Sequence, residues 1–166
     1  MPHTATSSVS LYVDGACTGN PGPGGYAALI IDGGTETQVI GGYRRTTNNR
    51  MELMAVIAGL AALPRPSTVT VFCDSLYVVK AMTRGWVHRW KARGWMRTPR
   101  ERALNIDLWE RLLALCQRHD VRFQWVRGHA DDERNNVCDE LARTAAAADA
   151  LPVDTPFEAL EPLTLL

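Results

Sequence analysis

The sequence predicts a single α/β domain on a five-stranded mixed sheet, and three observations carry that reading. Residues 9–43 hold three strand-like segments joined by short connections, the pattern of an antiparallel meander. Two later apolar runs, 69–73 and 121–126, each follow a segment of helical period, so the chain crosses over and adds a parallel part to the sheet. At 166 residues and 46% hydrophobic content, the chain fits one domain and buries enough surface to fold without disulfides.

The first segment, SVSLYV at 8–13, alternates polar with apolar side chains and is rich in strand formers. It is expected to end at Asp14, with Gly15 opening a turn. The glycines of 19–25 then read as a hairpin loop stiffened by Pro21 and Pro23. A nucleotide loop is excluded: both the Walker and the dinucleotide patterns lead into a helix, whereas YAALII at 26–31 reads as a strand. That strand runs over 26–32, and a third over 38–43 follows the Asp32-Gly-Gly turn. Residues 51–63 carry apolar side chains at 53, 54, 56, 57, 60 and 63, which is helical spacing, and Pro64 ends the helix. The run VTVFC at 69–73 is too short for a helix and reads as a buried strand ending at Asp74. Helix is expected from about residue 75 and again over 104–117, strand over 121–126, and a last helix over 132–148 with an alanine-rich end. Residues 1–8 read as an N-terminal extension and 9–148 as the domain. Beyond 149, Pro152, Pro156 and Pro162 leave little periodicity, and the tail is expected to be loosely ordered. There is no internal repeat.

Composition excludes several classes. No apolar run approaches the roughly 18 residues of a membrane span, and the start MPHTAT has neither the basic nor the apolar stretch of a leader. Cys17, Cys73, Cys116 and Cys138 are scattered and form no Cys-x-x-Cys pair, which argues against zinc and for a reduced, cytoplasmic setting. Lys plus Arg equals Asp plus Glu at 18 each, so overall charge announces no polyanion binder. Local charge does: Lys80 to Arg102 holds eight basic residues against the single acid Glu101, with Trp86, Trp90 and Trp95 interleaved. Such a segment suits a polyanion-facing surface, or a solvated helix whose tryptophans pack inward.

Four acids fall near element ends. Asp14 and Asp74 close two strands, Glu52 lies in the first turn of its helix after the loop TTNNR, and Asp139 borders the apolar stripe of the last helix. Each has an ordinary reading: a turn-starting Asp14, a dipole-favoured Glu52, a helix-capping Asp74, an Asp139 paired with Arg143. Read together, they describe a carboxylate cluster, tolerable when divalent cations neutralise it. An all-oxygen donor set suits Mg²⁺ or Mn²⁺, and paired metals are a known solution for phosphodiester cleavage. His129, in the loop before the last helix, is either a proton shuttle of near-neutral pKa or a surface histidine.

The blocks YVDGACTGNPGPGGY (12–26), TTNNRMELM (46–54), CDS (73–75), WKARGW (90–95), NIDLW (105–109), VRGH (126–129) and CDELAR (138–143) stand in order at the spacing of type 1 ribonuclease H, and the chain resembles that family from about residue 9 to 148. The resemblance implies the ribonuclease H-like sheet, which brings Asp14 beside Asp74. It implies that Asp14, Glu52, Asp74 and Asp139 hold two Mg²⁺ ions, with Mn²⁺ able to substitute, and that His129 assists proton transfer and product release. The substrate implied is the RNA strand of an RNA–DNA hybrid, cut endonucleolytically to 5′-phosphate and 3′-hydroxyl ends, as in the removal of primers and R-loops during replication and repair. Cys17, Asn20, Asn48 and Glu52 match positions that meet 2′-hydroxyls in the minor groove. Thr47 and Asn20 match the pocket for a DNA-strand phosphate, and Asn49 and Asn135 also match substrate-binding positions. Trp86, Trp90, Lys91, Arg93 and Trp95 match a basic protrusion, spanning about 84–102, that grips the DNA backbone. The enzyme implied is a cytoplasmic monomer with no membrane partner.

Three departures from the family pattern bear on function. Leu76 replaces a common Gln and cannot make its minor-groove hydrogen bond, Ala92 thins the protrusion by one lysine, and ADDERNN at 130–136 lacks the usual Gly and Pro and places Asn136 where an acid is usual. The last change predicts a shifted Mg²⁺ optimum with activity retained. Two other readings use the same fold: a binding module that has lost catalysis, which would lack a carboxylate, and the nuclease domain of a reverse transcriptase, against which the N-terminal region and protrusion weigh.

Overall fold

Strand formers placed at alternate positions give three long antiparallel strands: β1 (Ser7–Cys17), β2 (Gly22–Asp32) and β3 (Thr35–Thr46). The computed structural model describes residues 7–127 and 132–164. After β3 come α1 (Asn48–Ala61), β4 (Ser67–Cys73), α2 (Leu76–Thr83), α3 (Trp86–Ala92), α4 (Ile106–Arg118), β5 (Asp120–Trp125), α5 (Glu133–Ala146) and α6 (Thr155–Thr164). The sheet order is β3-β2-β1-β4-β5. The β1–β2 and β2–β3 pairs are antiparallel, and β1–β4 and β4–β5 are parallel. The mixed five-stranded sheet expected from the helical crossovers is therefore the one observed. No described helix is long and apolar enough to cross a membrane.

Two apolar layers flank the sheet. On one face Leu11, Val13, Val69 and Val71 pack with Met51, Leu53 and Ile57 of α1 and with Leu108, Trp109 and Leu112 of α4. On the other, Ala27 and Leu29 meet Cys138 and Ala142 of α5. Trp109 is fully buried, and its indole N–H donates to the Tyr77 hydroxyl at 3.1 Å. That bond satisfies a polar group that burial would otherwise penalise.

Several boundaries differ from the sequence reading, each for a pairing reason. β1 does not stop at Asp14: it continues to Cys17 because its ladder with β2 outlasts its ladder with β4, which ends at Tyr12↔Phe72. Gly22 to Gly25 belong to β2 and not to a loop. The segment after Asp74 breaks into α2 and α3 at Gly85, whose φ of 70° ends one helix and starts the next. The C-terminal tail is not loosely ordered. It forms α6, and Asp154 just before that helix is buried against Arg50 of α1. An ion pair across the fold anchors the tail where apolar periodicity did not announce one.

Candidate active site

Asp14 lies two residues past the last β1–β4 pair, where the two parallel strands part. Ligand sites in open α/β sheets lie at such carboxyl ends. Its neighbour Gly15 is there for contact and not for a turn. A Cβ at that position would lie 2.5 Å from both the Glu52 nitrogen and the Met51 carbonyl carbon. Bare backbone on β1 thus lets α1 rest directly on the strand and brings Glu52 alongside Asp14. Glu52 sits in the second turn of α1, not the first, and is 5% exposed. The helix N-terminus therefore gives it less support than the sequence reading supposed.

Asp74 follows β4, and Ser75 caps α2, its hydroxyl accepting from the Val78 N–H at 3.3 Å. Ser75, not Asp74, thus takes the capping role the sequence left open. Trp125 donates its indole N–H to the Asp74 carbonyl oxygen at 3.2 Å. One carboxylate oxygen each from Asp14, Glu52 and Asp74 come within 4.8 Å of one another. Asp139 of α5 stands outside that trio and accepts an ion pair from Arg143 at 2.9 Å, yet its charge still reaches Asp14. His129 lies outside the described residues.

Electrostatics follow from this packing. Burial first, then the Asp74 charge, raise Asp14 to about 7. Burial first, then Asp14 and Asp74, push Glu52 well above the usual carboxylate range. No cation stands among the largest influences on either acid. The Glu52 Oε2 atom is buried without a hydrogen-bond partner among the described residues. Three converging carboxylates, one with an orphaned oxygen, fit a hard divalent cation: the donors are all oxygen and the missing component is positive charge.

The residues expected to meet substrate gather into two groups. Cys17 donates its thiol to the Gly22 and Thr46 carbonyl oxygens at 3.4 and 3.5 Å, and the Asn48 N–H donates to Asn20 Oδ1 at 3.1 Å. Thr47 caps α1, and Asn48 and Asn49 are exposed beside it. The loop after β1 and the start of α1 thus form one surface. Asn135, near the start of α5, is buried with its Oδ1 unpartnered among the described residues. In the second group, Lys91 and Arg93 are exposed at α3 and its C-terminus, with Trp86 and Trp90 half-buried. Trp95 corrects the sequence reading: it is 9% exposed, packs in the core, and donates its indole N–H to Glu110 at 3.1 Å. It supports the protrusion from beneath and offers little surface to a duplex.

Arg50 and Asp154 carried no role in the sequence reading. The available signal was a cation at position 50 on the same helical face as Leu53, Met54 and Ile57, which is a buried arginine in need of partners.

Fold and site together define a nuclease of the ribonuclease H-like class. A family model described as RNase H matches residues 6–147. A ribonuclease H of Syntrophus aciditrophicus is 55% identical over 149 residues, covering 90% of this chain and 86% of that protein. A ribonuclease HI of Synechocystis sp. is 51% identical over 152 residues, covering 91% and 95%. Among solved structures, LC9-RNase H1, described as a type 1 RNase H with the type 2 active-site motif, superposes with a TM-score of 0.76 at 32% identity, covering 96% of this chain and 84% of that one. The chain belongs to the ribonuclease H family, among its type 1 members.

Proposed function

We propose that this protein is an endoribonuclease that hydrolyses the RNA strand of RNA–DNA hybrids, leaving 5′-phosphate and 3′-hydroxyl ends, and that it acts as a cytoplasmic monomer in removing primers and R-loops. The observation that carries the reading is the convergence of Asp14, Glu52 and Asp74 within 4.8 Å, in a chain of this family. Asp14, Glu52, Asp74 and Asp139 are the residues that would hold two Mg²⁺ ions, with Mn²⁺ as a substitute. Two such ions, when bound, supply activation of the attacking water and charge stabilisation at the leaving oxygen.

The chain's own residues do the rest. The raised pKa values of Asp14 and Glu52 mark groups whose negative charge calls for a cation. Cys17, Asn20 and Asn48 present donors and acceptors on one surface, suited to 2′-hydroxyls and so to RNA over DNA. Thr47 and Asn20 flank the position for a DNA-strand phosphate. Lys91 and Arg93, with the faces of Trp86 and Trp90, track the DNA backbone. His129 is the residue that would carry a proton in the reaction.

An end-labelled hybrid incubated with Mg²⁺, beside duplex RNA and duplex DNA, tests the proposal. Internal cuts in the RNA strand of the hybrid alone are expected. A hybrid left intact with both Mg²⁺ and Mn²⁺ defeats the reading.

A further inference from the structure

We propose that the C-terminal segment 151–160 is a strut for the active site, in which Asp154 is a positioning residue that sets Glu52 and the turn of Thr47 to Asn49 through Arg50. The inference rests on the metal-site reading of the carboxylates. It begins with an awkward charge. Arg50 stands in the first turn of α1, where the helix dipole disfavours a cation, and its side chain is only 4% exposed. A buried guanidinium without partners would be strongly unfavourable.

The fold supplies a partner to each of its five N–H groups. Nε donates to Asp154 Oδ2 at 2.8 Å, and Nη2 to Asp154 Oδ1 at 3.0 Å. Nη1 and Nη2 donate to the two Asp107 oxygens at 2.8 Å each, and Nη1 also to Asn105 Oδ1 at 3.4 Å. The planar fork is fully used, which fixes the guanidinium in one orientation. Asp154 then reaches further: its Oδ2 accepts from the Thr46 hydroxyl at 2.7 Å. One buried carboxylate therefore grips the residue before the 47–49 turn and the residue after it. Glu52 lies two residues beyond that grip.

The strut is itself held. The Arg44 N–H donates to the Pro152 carbonyl at 2.8 Å, and the Arg44 guanidinium pairs with Glu158 on α6 at 3.0 Å. The Phe157 ring lies 5.9 Å from the Arg50 guanidinium. Such fixation matters at this point because Glu52 shares a cluster with Asp14 and Asp74 in which one oxygen from each lies within 4.8 Å of the others. A ligand held in place by its helix is pre-organised for its ion, and partners behind a ligand tune affinity.

Mn²⁺ binding to the full chain, measured by calorimetry at a temperature where circular dichroism shows each variant folded, tests this without relying on turnover. Asp154→Asn keeps the shape and removes the charge that orients Arg50. It should bind Mn²⁺ about tenfold more weakly than the parent chain, with a matching rise in the Mg²⁺ needed for half-maximal hybrid cleavage. Glu158→Gln, which breaks only the exposed pair of the same segment, should leave Mn²⁺ affinity within about twofold. Unchanged affinity in Asp154→Asn, or an equal loss in Glu158→Gln, overturns the strut. If Asp154→Asn does not fold, Thr46→Val reads the same device through its other contact: weaker Mn²⁺ binding supports it and unchanged binding overturns it. A parent chain that neither binds Mn²⁺ nor cuts hybrid instead overturns the functional reading beneath it.

Discussion

Asp14 shows how one residue carries a stability burden for the sake of a site. Its pKa is raised to about 7, so in the metal-free protein the folded state binds more protons than the unfolded chain between the ordinary value of 3.8 and about 7. By linkage, stability is present at low pH and is lost as pH rises through that window. Asp14→Asn removes the burden. In EDTA it should be more stable than the parent on the order of a few kcal/mol at about pH 8, and the gain should vanish towards about pH 4, as read by denaturant melts. The same variant should lose hybrid cleavage while retaining hybrid binding; wild-type turnover would refute the assignment. Gly15 is the complementary case. A methyl group there runs into the Met51–Glu52 peptide of α1. Gly15→Ala should therefore cost more than about 2 kcal/mol and displace Glu52, seen as a lowered Tm together with weakened Mn²⁺ binding. Asp14 is legible in the sequence as a site residue, whereas Gly15 reads there only as a turn, because pattern alone cannot tell a glycine that bends from one that admits a neighbour.

At the scale of elements, the helices and strands followed from periodicity where their faces were apolar, as in α1, β4 and α4. What the sequence hid were the features set by contacts far along the chain. The length of β1 depends on β2, the split of α2 from α3 on a single φ, and α6 on a salt bridge to α1. Among site residues, the three carboxylates converge as the family resemblance implied, Asp139 keeps its local ion pair, and Trp95 turns inward. The protrusion makes its own prediction. Arg93 is exposed at the end of α3 and makes no ion pair among those resolved in the described residues. Arg93→Ala should weaken hybrid binding and flatten its dependence on salt by about one unit of slope. Fluorescence titrations across salt concentrations measure this, and an unchanged slope would remove Arg93 from the backbone-gripping surface.

For the molecule as a whole, a second titrating group ties distant elements together with the opposite sign. His119, at the end of α4, accepts the Ser67 N–H at the start of β4 through Nδ1 at 3.1 Å. Burial first, then Arg118, hold its pKa below the ordinary 6.5. The unfolded chain therefore protonates before the folded one, and stability falls as pH drops below 6.5. The difference in Tm between the parent chain and His119→Asn should decline from about pH 7 to about pH 5, because the variant has no imidazole to protonate. A flat profile would show that the imidazole is not held neutral. The direct seating of α1 on β1 has a further consequence, for sequence drift. Because the distance between Asp14 and Glu52 is set where main chain meets main chain at Gly15, no apolar side chain acts as a spacer between them. Exchanges among Leu, Ile and Val elsewhere in the interior can reshuffle volume without altering the gauge of the catalytic centre, so the chemistry is insulated from the ordinary substitutions by which cores diverge.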